Sequence, residues 1–233
     1  LTMKKRVVVT GLGVISPVGN DVSSFWAALK EGKSGVGLNT SFDTTGFDSL
    51  IAAEVKNFDP THHGISLKEI KRTAKFAQYA VAAAKQAIES SGLNLGQEDR
   101  NRIGVIIGSG IGCLRTVEEQ HKILLSKGPS RLSPFLIPML IVNEASGLVG
   151  IVHGLKGPNL CVATACASGS HAIGDAYRSI LYGDADVMVA GSSEAAVCRI
   201  GMAGFAAARA VSTSYNETPT KASRPWDQGR DGF

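Results

Sequence analysis

Cys166 is the residue in this chain best placed to do chemistry. It stands in Cys161-Val-Ala-Thr-Ala-Cys-Ala-Ser-Gly-Ser170, which reads as a short apolar strand (Leu160 to Ala163), a tight turn and a helix beginning near Ala167. That helix is expected to run to Tyr182, with Ile173, Ala176, Tyr177, Ile180 and Leu181 as its apolar stripe and Gly183 as its stop. The free N–H groups and the positive end of the helix dipole then point at the sulfur. Negative charge is favoured there, so the position makes a cysteine nucleophilic. The small residues Ala165, Ala167, Ser168 and Gly169 let a substrate or another backbone come close. An acyl-accepting nucleophile is the chemistry this pattern suits.

A cysteine nucleophile needs a proton shuttle and donors for an oxyanion. His171 is the nearest histidine, but five residues along a helix turn it about 140° away from Cys166. His121 and His153 lie on other predicted helices, and the adjacent His62 and His63 sit in a polar loop of the ordinary solvated kind. From residues alone, a reactive Cys166 and a buried, inert one both stay open.

The elements that must position it alternate. Residues 5 to 10 read as a buried strand leading into Gly11-Leu-Gly13. A strand followed by Gly-x-Gly suggests a dinucleotide site, but Ser16 replaces the third glycine, Pro17 opens no helix and no acid follows at the right distance. A strand-end turn is expected instead. Asp21 caps a helix closed by Gly32; residues 32 to 50 read as a loop, and Ile51 to Val55 as a strand. An Ala-rich helix ends at Gly92, Ile103 to Gly108 is a wholly apolar strand, and a helix runs from about Leu114 to Ser126. An apolar helical segment from Phe135 to Val152 and a strand from Asp186 to Gly191 complete the pattern. Apolar strands alternating with helices predict an α/β layered domain with a mostly parallel sheet.

The basic stretch Lys68, Lys71, Arg72, Lys75 precedes the Ala-rich helix. Cations are the wrong sign for a helix N-terminus, so the cluster asks for a reason beyond helix stability. The 233 residues are 44% hydrophobic and 19% charged, enough for a sizeable core. No apolar run reaches the roughly eighteen residues that span a bilayer, and no signal peptide is discernible, so a soluble chain is expected. Four irregularly spaced cysteines fit a reducing compartment, and without a second Cys/His pair Cys161 and Cys166 make no zinc site. A net charge of +4 excludes nothing but a strongly basic nucleic-acid binder. The chain stops at Asp231-Gly-Phe233 with no capping element, as an interrupted domain would.

Several stretches resemble the β-ketoacyl-acyl carrier protein synthases. They are Val7-Val-Val-Thr-Gly-Leu-Gly-Val-Ile-Ser-Pro-Val-Gly19, Gly108-Ser-Gly-Ile-Gly112, Ala163-Thr-Ala-Cys-Ala-Ser-Gly169 and Gly183-Asp-Ala-Asp-Val-Met-Val-Ala-Gly191. Gly204-Phe205, Ala207-Ala-Arg-Ala210 and Ser223-Arg-Pro-Trp-Asp227 continue the match in order, and the details are most similar to the synthase II type. The resemblance implies a thiolase-like fold, of which residues 1–233 would form the N-terminal half-domain, with one five-stranded mixed sheet covered by helices. It implies acyl transfer to Cys166, then decarboxylative Claisen condensation with malonyl-acyl carrier protein in fatty acid elongation, without cofactor or metal. Ile111, Leu136, Ile137 and Phe205 match the family's acyl-pocket lining. Lys68, Lys71 and Arg72 match its docking patch for acidic acyl carrier protein, which supplies the reason the basic cluster asked for. A homodimer built through the strand before Cys166, with residues near Leu136 reaching the partner's pocket, and a cytoplasmic or organelle-stroma location are also implied. Two histidines of the decarboxylation step and one oxyanion donor belong to the family's later half. Alone, this half is expected not to condense, though Cys166 could still accept an acyl group. Other readings are a polyketide ketosynthase, a biosynthetic thiolase, or a non-catalytic half that binds acyl groups or carrier protein.

Overall fold

The computed structural model describes residues 6–233. In chain order its elements are α1 (Val22–Lys30), β1 (Val36–Leu38), β2 (Ile51–Ala53), α2 (Leu67–Ile70), α3 (Lys75–Ser90) and β3 (Ile103–Gly108). Then come α4 (Leu114–Lys127), α5 (Leu136–Leu140), α6 (Glu144–His153), β4 (Asn159–Leu160), α7 (Ser168–Tyr182), β5 (Val187–Ser192) and α8 (Arg199–Ala207).

Strand β3 is the centre. Its sequence, Ile-Gly-Val-Ile-Ile-Gly, carries no polar side chain, and all six residues are buried. It pairs in parallel with β4 along one edge and β5 along the other, and helices cover both its faces. Side chains alternate across the sheet. Ile103, Val105 and Ile107 enter one core with Phe76, Ala77, Ala80 and Val81 of α3 and Ala145 and Val149 of α6. Ile106 enters the other, against Ala172 and Ala176 of α7. The result is a three-layer α/β arrangement, with α3 and α6 on one face and α7 on the opposite one.

The expected five-stranded mixed sheet is corrected. Among the described residues the main sheet has three strands, all parallel, and β1 and β2 form a separate antiparallel pair. Part of the expected strand over residues 5 to 10 lies outside the described residues; residues 6 to 10 join no ladder. The segment that follows rests on α3 instead. A Cβ at Gly11 or Gly13 would collide with the carbonyl oxygen of Ala87 or Ala83, so only glycine permits this approach. The Leu12 N–H donates to Ser90 Oγ (3.0 Å) and the Val14 N–H to Gln86 Oε1 (3.1 Å), which replaces the missing ladder. The glycines therefore mark a close approach rather than a turn.

Three other elements differ from expectation. Residues 32 to 50 are not all loop, since β1 lies within them. The helical segment from Phe135 to Val152 is split, with Ile141 extended between α5 and α6. There the Val142 carbonyl accepts a hydrogen bond from the Cys161 thiol (3.3 Å). Helix α7 buries Ser168, Ala172 and Ala176, whereas Ile173 and Tyr177 of the expected stripe are 55% and 48% exposed. Small residues meet the sheet because β3 and β5 lie close beneath: a Cβ at Gly108 would meet the carbonyl of Ser168, and one at Gly169 would meet Ser192 Oγ at 2.5 Å.

Candidate active site around Cys166

All three strands of the main sheet run the same way, so the segments leaving β3, β4 and β5 emerge along one edge. Ligand sites of parallel sheets form at such edges. Cys166 lies on the segment after β4. The strand is shorter than expected, with only Asn159 and Leu160 in register, and the chain leaves the sheet after the Val162 carbonyl accepts from the Ser109 N–H (3.1 Å). A single 3-10 turn, Ala165–Ala167, carries Cys166 and leads into α7, which begins at Ser168, one residue after the expected helix start.

The turn is tightly specified. Ala165 has φ +51, a left-handed conformation that costs a residue with a Cβ about 1–2 kcal/mol. Ser168, itself buried, offsets this cost: its hydroxyl accepts from the Thr164 N–H (2.9 Å) and donates to the Ala165 carbonyl (2.7 Å). These bonds bracket Cys166 and leave its side chain outside. Of the four cysteines, none is disulfide-bonded and only Cys166 is exposed. Burial pushes the Cys161 and Cys198 thiols up, which makes both poorer nucleophiles. The N-terminus of the 15-residue α7 has no side-chain cap; its first N–H, that of Ser168, donates to the Ala165 carbonyl and closes the turn, and the positive end of the helix dipole lies next to Cys166 in sequence.

One wall of that space is the loop Ser109–Gly112 after β3. A Cβ at Gly110 would stand 3.4 Å from Ala165 Cα, so the loop lies flat on the turn, with half-buried Ile111 next along it. The same loop meets the end of α5, since a Cβ at Gly112 would be 3.0 Å from the Leu140 carbonyl oxygen. The helix carrying Leu136 and Ile137 therefore adjoins the loop carrying Ile111, although Ile137 is 63% exposed. Phe205, on α8, packs edge-on against Phe233 at 5.2 Å. Of the four candidate lining residues, Ile111 is the one whose chain neighbour, Gly110, packs on the Cys166 turn.

Among the described residues no hydrogen bond joins a histidine to the Cys166 sulfur. His171 Nδ1 is hydrogen-bonded to Thr164 Oγ1 (2.8 Å), which spends it on the turn. His63 stacks on Phe58, and both His63 and His153 are pushed down chiefly by burial. Among the described residues, no three His, Cys, Asp or Glu side chains gather as metal ligands would.

The basic stretch is built differently from the single helix start expected. Lys68 lies in α2 and Lys71 follows its last residue, where cations suit the dipole; Ser66 and Glu69 form a capping box at the other end. Arg72 lies over the Phe135 ring at 4.7 Å, which joins this patch to the start of α5. Lys68, Lys71 and Arg72 are all exposed. The start of α3 receives its acid from a distance: the Glu144 carboxylate accepts the Ala74 N–H (3.1 Å). Burial outweighs that hydrogen bond and pushes Glu144 up to about 7.

Sequence reasoning named Ser168 only as a small residue and missed its hydrogen bonds across the turn, and it missed Glu144 and Glu194 altogether. A serine two places past a turn cysteine carries no signal of its own. Glu194 had one, since it is an acid just beyond the end of a buried parallel strand, where sites assemble.

Comparison with known proteins agrees with this geometry. Residues 4–233 match the model of the beta-ketoacyl synthase N-terminal domain. The 3-oxoacyl-[acyl-carrier-protein] synthase 2 of Coxiella burnetii is 53% identical over 230 residues, 99% of this chain and 55% of that protein. Among solved structures, the ishigamide ketosynthase/chain length factor superposes with a TM-score of 0.86 at 31% identity, over 98% of this chain and 55% of its own. The AntDE:AntF complex of a type II PKS acyl-carrier protein with its ketosynthase bound to the hexaketide gives 0.74 at 25% identity, over 86% and 54%. The chain spans about half the length of the curated relatives it matches. An exposed cysteine on a strained turn at the crest of a ketosynthase-like sheet, inside a family match that runs almost end to end, places the chain in the beta-ketoacyl synthase family.

Proposed function

We propose that the native protein is a β-ketoacyl-acyl carrier protein synthase of fatty acid elongation, and that residues 1–233 form the first half-domain of its thiolase-like fold. The observation that carries this reading is the Cys166 turn, where Ala165 and Ser168 hold one exposed thiol at the uncapped start of α7. In the first half-reaction the Cys166 thiolate attacks the thioester carbonyl of an acyl group on carrier-protein phosphopantetheine. The tetrahedral oxyanion takes hydrogen bonds from backbone N–H groups and collapses. The phosphopantetheine sulfur leaves and takes up a proton, and the acyl group remains on Cys166. In the second, malonyl thioester loses carbon dioxide, its carbanion attacks the acyl carbonyl, and the Cys166 sulfur departs as thiolate. The family's decarboxylation histidines belong to its later half.

Ile111, Leu136, Ile137 and Phe205 line the acyl site in this reading, and Lys68, Lys71 and Arg72 dock an acidic acyl carrier protein. The complex of a related ketosynthase with its acyl-carrier protein supports that partner. A homodimer through β4 and a cytoplasmic or stromal location complete the proposal; among the described residues no helix is long and apolar enough to cross a membrane. The curated relatives favour fatty acid over polyketide synthesis, because they are named 3-oxoacyl-[acyl-carrier-protein] synthase 2.

The test is mass spectrometry of the Cys166 peptide after incubating the native protein with acyl-acyl carrier protein. An acyl adduct that Cys166→Ala removes is the expected result. The proposal fails if no adduct forms or if the adduct survives the substitution. An adduct at Cys166 without condensation on adding malonyl-acyl carrier protein favours the non-catalytic, binding reading.

A further inference from the structure

Glu194 follows β5 and reaches across the sheet edge to the loop after β3. One of its oxygens, Oε2, accepts the Gly110 N–H (2.9 Å), the Ile111 N–H (3.0 Å) and the Ser109 hydroxyl (3.3 Å). Ser109 Oγ in turn accepts the Gly112 N–H (3.1 Å), so every residue of the loop is bonded to Glu194 directly or through Ser109. The strand end that carries Glu194 is fixed independently: the Ser193 N–H donates to the Gly108 carbonyl (3.0 Å) and its hydroxyl to the Phe76 carbonyl (2.6 Å). A Cβ at Gly110 would lie 3.3 Å from Glu194 Oε2 and 3.4 Å from Ala165 Cα. A side chain at this position would thus crowd both the carboxylate and the turn that carries Cys166. Among the described residues, Glu194 is the acid that the hydrogen bonds of this loop reach.

We propose that Glu194 is a positioning residue that sets where Ile111 stands relative to Cys166, and thereby which acyl chain lengths the site accepts. This deepens the reading of Cys166 as an acyl acceptor and rests on it. Glu194 touches neither the sulfur nor an acyl group; it acts through the backbone of residues 110 and 111. Displacing a side chain in an apolar pocket by the width of a methylene changes discrimination between homologous chains by about tenfold or more.

The experiment measures kcat/KM for acylation of Cys166 by hexanoyl- and myristoyl-acyl carrier protein in the native protein, beside the rate of Cys166 alkylation by iodoacetamide. Glu194→Ala is expected to change the hexanoyl-to-myristoyl ratio about tenfold while alkylation stays within about threefold. Glu194→Gln, which keeps the length and one acceptor oxygen, is expected to hold the wild-type ratio better than Glu194→Asp, which keeps the charge but is one methylene short. That order decides between position and charge, and Glu194→Asp serves if the alanine variant does not fold. In an Ile111→Ala background the effect of Glu194→Ala on the ratio is expected to vanish. The inference is overturned if the wild-type protein is acylated but the ratio is unmoved in the alanine and aspartate variants. It is also overturned if both donors fall in parallel with alkylation, or if the effect persists without Ile111. A wild-type protein that no donor acylates refutes the acyl-acceptor reading itself, a result distinct from all of these.

Discussion

Helices α3 and α7 are nearly the same length, 16 and 15 residues, and they pack on opposite faces of the same sheet. Helix α3 buries Phe76, Val81 and Ile88 along with Gln78 and four alanines, and its interior is filled by bulk. Helix α7 buries only Ser168, Ala172 and Ala176, and leaves Ile173, Tyr177 and Tyr182 exposed. The difference follows from what each helix does. Helix α3 holds layers together, so it needs volume. Helix α7 brings the start of its axis against the ends of β3 and β5, and any side chain larger than alanine or serine beneath it would lift Cys166 away from that edge.

The comparison predicts a graded series. Phe76→Ala should cost the most, about 3–5 kcal/mol by denaturant titration, because it opens a cavity between two layers. If it costs under 1 kcal/mol, α3 is not held by bulk. Ala172→Leu is a gain of volume, yet on α7 it should destabilise by about 1–3 kcal/mol and slow acylation of Cys166 in the same variant. Unchanged stability would show that the helix has room to spare. Glu144→Gln probes the α3 start through pH. The folded protein holds this carboxyl at about 7 against an ordinary 4.5. The stability it contributes is therefore complete below about pH 4.5 and lost as the pH rises through about 7. The glutamine variant should match wild type at pH 4.5 and exceed it at pH 8 by up to about 3 kcal/mol. The opposite slope would mean the carboxylate is stabilised by the Ala74 N–H more than burial opposes it. Ile173→Ser, on the open face of α7, should change stability least, within about 0.5 kcal/mol. A cost of several kcal/mol in the native protein would show that another element covers that face.

Much of this was legible in the sequence, for local reasons. Asp21 caps α1 through the Ser24 N–H, Gly183 closes α7 at φ +86, and the unbroken apolar run of β3 pointed to a buried parallel strand. The Cys166 turn was legible because small residues between a strand and a periodic helix leave few alternatives. What was not legible depends on partners distant in sequence. The apolar stripe assigned to α7 follows helical spacing, but the glycines at 108 and 169 bring the sheet so near that alanines, not isoleucine and tyrosine, face it. The basic run looked misplaced only because the break at Thr73-Ala74, which divides α2 from α3, is made by a contact with Glu144 seventy residues on. Glu194 pairs with residues 83 to 85 positions earlier, and no window along the chain contains both ends of that contact.

The segment around Gly11 and Gly13 has a consequence for the order in which the molecule is made. It docks on Gln86, Ala87 and Ser90, and it forms no sheet pairing of its own that could hold it meanwhile. A ribosome adding about 5–20 residues per second needs about 4–15 s to pass from this segment to the end of α3. For that interval the segment carrying Gly11 and Gly13 is a nascent chain without the helix face it rests on, so its docking on α3 belongs to a late step of folding rather than to the first.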